Sequence, residues 1–315
     1  MSVELIRETG KRLSNWGRWG ADDQRGTLNH VSAESIRHAA TLVKTGRLFR
    51  LGFNYDENGP QIGSVRGRIN PIHTMLQHAG DAALAMPAPL LGHGYTDDIV
   101  LLPLQCSTQW DGLAHVFYDG HIYNGFSTSE VLGGGAKKDG IEHVCEGIIG
   151  RAVLLDIPRH KGLGTLPQGY AITQQDLDGC AEKQLVKFRG GDILLLRTGM
   201  IQSLLAGDRK TFATGSFAGL SFYTLEWLHR NRIAAIAVDN LAVEVRPTEF
   251  PDMKLSTPFH LVAIRDMGLT LGEIFNFEAL AAHCQEDGIY EFMFSGTPLP
   301  ITGGVGSPLN PIAIK

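Results

Sequence analysis

Five short stretches of this chain are apolar without the in–out alternation of a half-exposed strand: Ile99–Leu104, Ala152–Ile157, Ile193–Arg197, Ile233–Val238 and Tyr290–Phe294. Runs of that length suit strands buried on both faces. Helices are predicted between some of them. Ser32 caps a helix to about Lys44, with Ile36, Ala39, Ala40 and Val43 on one face and Gly46 as its stop. Thr173 with Asp176 three residues on makes a capping box. Ser221–His229 sets Leu225 and Leu228 on one side, and Glu278–Gln285 ends ahead of Gly288. Strands separated by helices predict an α/β fold.

Three stretches lack such a pattern. The first thirty residues are polar and aromatic (Asn15-Trp16-Gly17-Arg18-Trp19-Gly20, then Asp22-Asp23), which predicts anchored loop and no core helix. Residues 52–97, rich in Gly, Pro, Asn and His, predict a long irregular segment, either a binding loop or a solvated insertion. Gly133–Gly135 before Lys137 lacks phosphate-loop spacing and is read as a plain turn.

Composition narrows the class. The 38 glycines among 315 residues fit a loop-rich enzyme better than a helical bundle. A net charge of −5 with no basic stripe argues against nucleic acid or an anionic membrane as partner. No apolar run approaches the length of a membrane span. The start of the chain does not read as a secretory signal, and the four cysteines are scattered without a CxxC, which predicts a reduced, cytoplasmic protein.

The densest polar stretch beside an apolar run is Gln105-Cys106-Ser107-Thr108-Gln109-Trp110-Asp111-Gly112-Leu113-Ala114-His115. In an extended chain Gln109 and Asp111 share a face about 6.6 Å apart and can reach one ion, whereas Gln105 joins them only if the chain bends. Hydrogen bonds to loop backbone are the alternative fate of such residues. A second cluster holds His260, Asp266, Gly268 and Glu273. Whether Asp266–Gly268 is a hairpin turn or Pro258 starts a short helix ending at Gly268, the chain doubles back and His260 and Glu273 can meet. There is no G-x-S-x-G elbow, which counts against a serine hydrolase.

Residues 105–115 resemble the signature of the metal-dependent cyclase family, H-x-G-T-H-x-D-x-P-x-H. This family includes kynurenine formamidases, isatin hydrolases and trans-dienelactone hydrolase. Here Gln105 and Gln109 stand in the two leading His positions, Asp111 and His115 are retained, and Leu113 replaces Pro. His260 and Glu273 match the family's downstream ligand pair. Further likeness lies in Asn15–Asn29, Gly150–Ile157, Val238–Glu244 and Gly303–Pro311. The glutamine form resembles the trans-dienelactone hydrolase branch.

The resemblance implies a swivelling β/β/α domain spanning 1–315, with 1–97 as an N-terminal helix and loop region and 98–315 as the metal-binding core. It implies one divalent ion, Zn²⁺ first and Mn²⁺ second, since the histidines of a second ion are lost. Gln105, Asp111, His260 and Glu273 would be ligands, Gln109 would ligate or hold a water, and His115 would be the general acid–base. Trp19, His73 and Trp110 are candidates for the pocket wall, and Asp111 and Glu273, held by the ion, would leave the rest of the pocket neutral. The implied reaction is hydrolysis of a cyclic ester or amide. An arylformamidase is the alternative, and an inactive small-molecule-binding member is the alternative of another class. The implied partners are a small-molecule substrate and further copies of the chain in a homodimer or homotetramer.

Overall fold

In a computed structural model, residues 3–84, 90–251 and 257–315 are described. The longer strands are β1 (Leu48–Arg50), β2 (Ile72–Gln77), β3 (Asp97–Leu101), β4 (Gln109–Asp111), β5 (Ile149–Asp156), β6 (Ile193–Arg197), β7 (Ala235–Val238), β8 (Thr270–Glu273), β9 (Glu291–Ser295), β10 (Gly306–Pro308) and β11 (Ile312–Ile314). Nine of them form one mixed sheet in the order β1-β11-β9-β5-β6-β7-β8-β4-β10. β5 to β8 run parallel, and the strands flanking them are antiparallel.

Continuous apolar runs suit the central strands β5, β6 and β7 because both faces are covered. Val153, Leu155, Leu194, Leu196 and Ile236 pack on one side with Leu177, Leu225 and Phe259 from the helices. Ala152, Leu154, Ile193, Leu195 and Ala237 pack on the other with Phe275, Phe277 and Phe294. The capping signals act as predicted. Ser32 accepts from Ser35 N at 3.0 Å at the head of the helix Ala33–Thr41, and Thr173 and Asp176 cap Gln174–Lys183 reciprocally. The helix Glu278–Asp287 ends at Gly288, whose φ of 70° needs a residue without Cβ. Gly133–Gly135 is a turn, joining the two-residue strands Val131–Leu132 and Gly135–Ala136.

Three expectations are corrected. Val3–Leu13 is a helix that buries Ile6 and Leu13. Its pattern is hard to see because so few apolar side chains suffice, and Gly10 lies so close to Asp266 that a Cβ would fall 2.4 Å from Oδ2. The irregular 52–97 segment contains β2, which pairs antiparallel with β3 as a ribbon outside the main sheet. The run from Ile99 is therefore not a buried strand. Ile99 is 50% exposed and Leu101 64%. A short apolar run has the same pattern in a sheet core and in a projecting ribbon, so periodicity cannot separate them. Among the described residues no helix is long and apolar enough to cross a membrane. Residues 3–50 join the same structure as the later part of the chain: β1 pairs with β11, and Asn15 donates through Nδ2 to Met267 O at 2.8 Å.

Candidate metal centre and active site

The site is set by strand register. β4 lies antiparallel to β8 with Gln109 opposite Glu273, Trp110 opposite Gly272 and Asp111 opposite Leu271. Side chains alternate along a strand, so Gln109, Asp111 and Glu273 rise from one face and Trp110 from the other. Gly272 fits under Trp110, where a Cβ would lie 2.5 Å from the ring. The opposing helix starts at Pro258 as Pro258–His260 and continues as a π-helical turn, Leu261–Asp266, before Gly268 turns the chain into β8. This is the second of the two arrangements compatible with the sequence, and it carries His260 over β8.

Asp111, His260 and Glu273 are all buried, and one ligand atom from each lies within 4.8 Å of the others. His260 Nε2 is 3.3 Å from Glu273 Oε1 and 3.9 Å from Asp111 Oδ2. His115 Nε2 stands 3.6 Å from Asp111 Oδ1. Gln109 Nε2 donates to Glu273 Oε2 at 2.8 Å and lies 3.4 Å from Asp111 Oδ1, while its Oε1 is buried with no partner. Gln109 thus spans the two carboxylates. The Gln105 amide lies 3.5 Å from His115 Nδ1, at the far side of the imidazole from Asp111.

Glu244, the last residue of the Val238–Glu244 stretch, anchors His260, a role its place in the sequence did not signal. Its Oε1 accepts from His260 N at 3.0 Å and pairs with His260 Nδ1 at 2.6 Å, and its Oε2 accepts from Phe259 N at 3.1 Å. Asn240 holds the turn before it, accepting from Val243 N at 2.7 Å and donating to Ala218 O at 2.7 Å. Val243 and Ile274, each next to a site carboxylate, have φ of 56° and 59°. A left-handed conformation is costly for a β-branched residue and persists where surrounding bonds over-determine it. Ile274 is so held: its N donates to Asn240 O and its O accepts from Thr108 Oγ1.

The electrostatics follow from burial. Glu273 is pushed up to about 7 by burial and by the Asp111 charge, against the opposing effect of His260. Burial alone would lower the His260 pKa, but hydrogen bonds to Glu244 and Glu273 carry it up to about 10. Burial holds His115 below its ordinary value, against the pull of Asp111. Two buried carboxylates facing each other, an imidazole with a fixed Nδ1 partner and an unpartnered amide oxygen are a donor set that fits a divalent cation.

The three residues considered for the pocket wall lie elsewhere. Trp110 is fully buried against Phe275 and Phe294, its Nε1 donating to Gly296 O, on the sheet face away from the triad. Trp19 stands edge-on to His30. His73 is exposed on the β2–β3 ribbon, 2.7 Å from Asp98. The wall of the cavity of about 180 Å³ over Asp111, His115, His260 and Glu273 is formed instead by Val65, Arg68, Val116, Phe217, Leu241 and Arg246. The two arginines overturn the expectation of a neutral pocket. They lie in loops far from either motif, so spacing gave no signal for them.

Residues 50–245, well over half of the chain, match the family model described as putative cyclase. No curated protein matches the chain. Among solved structures, a novel cyclase shares 41% identity and superposes with a TM-score of 0.87, over 97% of this chain and 99% of that one. Isatin hydrolase A from Ralstonia solanacearum shares the fold at 15% identity and a TM-score of 0.62, over 85% and 92% of the two chains. A predicted metal-dependent hydrolase from Bacillus stearothermophilus does so at 14% identity and 0.52, over 86% and 98%. The family match, supported by the close structural relative and by the shared α/β fold, establishes that this chain belongs to the cyclase family.

Proposed function

We propose that the protein is a metal-dependent hydrolase that opens a cyclic ester or cyclic amide. The observation that carries this reading is the convergence of Asp111, His260 and Glu273 within 4.8 Å beneath a cavity that His115 also lines. Asp111, His260 and Glu273 would hold one divalent ion, Zn²⁺ before Mn²⁺, a choice that oxygen donors with one imidazole leave open. Such an ion supplies polarisation of a carbonyl and a water acidified towards neutral pH.

The chain's own residues supply the rest. Gln109 bridges the two carboxylates by donating to both, and its own oxygen is buried without a partner. Glu244 fixes the His260 ring so that Nε2 faces the carboxylates. His115 is held in its neutral form by burial, so its Nε2 can take a proton from an attacking water and return it to the leaving oxygen or nitrogen. Gln105, whose amide lies 3.5 Å from His115 Nδ1, would orient that ring, and by accepting through its oxygen it would keep the ring proton on Nδ1 and leave Nε2 free to act. In a ring-opening reaction the leaving atom stays tethered to the product, so prompt protonation by one residue prevents re-closure. This favours a lactone or lactam over the acyclic amide of N-formylkynurenine.

The test is a panel of lactones, lactams and N-formyl anilines with and without added Zn²⁺ or Mn²⁺. His115→Ala should retain its metal and turn over about 10²–10⁴-fold more slowly. Efficient deformylation with no ring opened would favour the arylformamidase reading, and loss of metal in His115→Ala would make His115 a ligand.

A further inference from the structure

Two cations on the cavity wall have no role in water activation. Arg68 comes from the irregular segment before β2 and Arg246 from the turn after Glu244. Both are half-buried, and among the described residues neither guanidinium has an ion-pair or hydrogen-bond partner. Arg246 Nε is buried and unpartnered. Its guanidinium lies over the Phe217 ring at 5.9 Å, and its backbone exchanges two hydrogen bonds with Phe217, which fixes the direction in which the side chain leaves the turn. Phe217 lines the same cavity.

The charges of this cavity do not cancel internally. A divalent ion would offset Asp111 and Glu273, and the Glu244 carboxylate, outside the cavity lining, is engaged by His260 Nδ1, His260 N and Phe259 N. Arg68 and Arg246 then remain as two cations without a partner on a wall otherwise made of Val65, Val116, Phe217, Leu241, Ala242 and Thr257. A half-buried guanidinium that no protein group engages can be met by a planar anion, which accepts several of its N–H bonds at once.

We propose that Arg68 and Arg246 form a clamp for a carboxylate that the substrate carries before its ring is opened. This rests on the hydrolase reading of the adjacent site and narrows it: the substrate is a small cyclic ester or amide with an anionic side arm. The carboxylate created by ring opening forms at the acid–base centre and is a different group. The clamp would act in positioning and specificity, holding the far end of the molecule while the scissile carbonyl faces His115.

Two measurements on the full chain test this. In the first, benzoate and the uncharged benzamide are titrated calorimetrically into wild type, Arg68→Gln, Arg246→Gln and the double variant, as purified and with Zn²⁺. Benzoate should bind at least about fivefold more weakly to the double variant while benzamide is unchanged, and benzoate should weaken further with salt in wild type only. In the second, kcat/KM is compared for a γ-lactone bearing a carboxylate and for its methyl ester. The double variant should lose about 10²-fold on the acid, mostly in KM, and less than about threefold on the ester, with metal content unchanged. Unchanged benzoate binding, or equal losses for charged and neutral partners of either pair, would overturn the clamp. If the double variant does not fold, Arg68→Gln in its exposed loop decides by the same criteria, with Arg68→Lys expected to recover part of the loss. Benzoate discrimination without opening of either lactone would leave the clamp standing and remove the hydrolase reading. Ring opening indifferent to charge would do the reverse.

Discussion

Glu244→Gln removes a charge while leaving the shape almost intact, and the structure says what each lost contact does. Glu244 Oε1 serves two donors, His260 N at 3.0 Å and His260 Nδ1 at 2.6 Å, and Oε2 serves Phe259 N at 3.1 Å. A proton kept on Nδ1 leaves Nε2 as the lone-pair nitrogen, 3.3 Å from Glu273. Glutamine has one acceptor oxygen for these three donors. Either the imidazole loses its anchor or the amide NH₂ meets the ring N–H or a backbone N–H. Loss of such an orienting carboxylate typically costs 10- to 100-fold in metal affinity, about 1.4–2.7 kcal/mol. The unsatisfied backbone donor at the start of the helix costs about 1–3 kcal/mol in stability besides. Competition with a chromophoric chelator gives the first quantity, and urea unfolding of the metal-free chain gives the second. Metal affinity within threefold of wild type, whatever the stability, would show that Glu244 only caps the helix and would refute its role in aiming His260.

Three further outcomes follow from the packing. Gly272→Ala places a Cβ 2.5 Å from the Trp110 ring, which its bond to Gly296 O pins in place, so it should destabilise by about 1–3 kcal/mol or more in urea melts, whereas Gly150→Ala, with nothing within 4 Å, should stay within about 1 kcal/mol; equal effects would contradict the packing account. Asp139 has both carboxylate oxygens buried without partners, and burial with the Asp23 charge pushes its pKa up to about 8. From the ordinary carboxylate range up to about 8 the unfolded chain is ionised while the folded chain holds the proton, so wild type loses stability as pH rises through that window. Asp139→Asn, which suits the φ of 60° there, should gain stability over wild type from nothing near pH 4 to a few kcal/mol near pH 8, and a pH-independent gain would contradict this. Finally, the β2–β3 ribbon exposes Ile72, Leu76, Ile99 and Leu101, a surface that a second copy of the chain would cover. Light scattering should give two or four times the 34.3 kDa chain mass, and a monomer would remove the homo-oligomer proposal.

The sheet was legible wherever burial on both faces made an apolar run unambiguous, as at Ile193–Arg197, whose predicted and observed limits coincide. Ile99–Leu104 shows the limit of that signal, since the same composition serves an exposed ribbon. The proposed metal triad was legible only in halves. Periodicity set Gln109 beside Asp111, and the doubling back at Gly268 let His260 meet Glu273. The antiparallel pairing of β4 with β8, which unites the halves, is a contact across more than 150 residues that spacing does not encode. Trp110 illustrates the same gap from the other side: strand alternation places it opposite its neighbours Gln109 and Asp111, so adjacency in sequence meant separation in space. Arg68 and Arg246 sit in loops whose direction is set by tertiary contacts, and Glu244 acts through hydrogen bonds to Phe259 and His260, fifteen and sixteen residues away.

The central claim is that Asp111, His260 and Glu273 together hold one divalent ion. Elemental analysis of chain purified without chelator, set beside Glu273→Gln prepared identically, tests it most directly. The account predicts about one Zn²⁺ or Mn²⁺ per wild-type chain, and a marked fall in the variant together with a fall in hydrolytic activity. Two tightly bound ions, none after soaking with Zn²⁺ and Mn²⁺, or full occupancy in Glu273→Gln would contradict it.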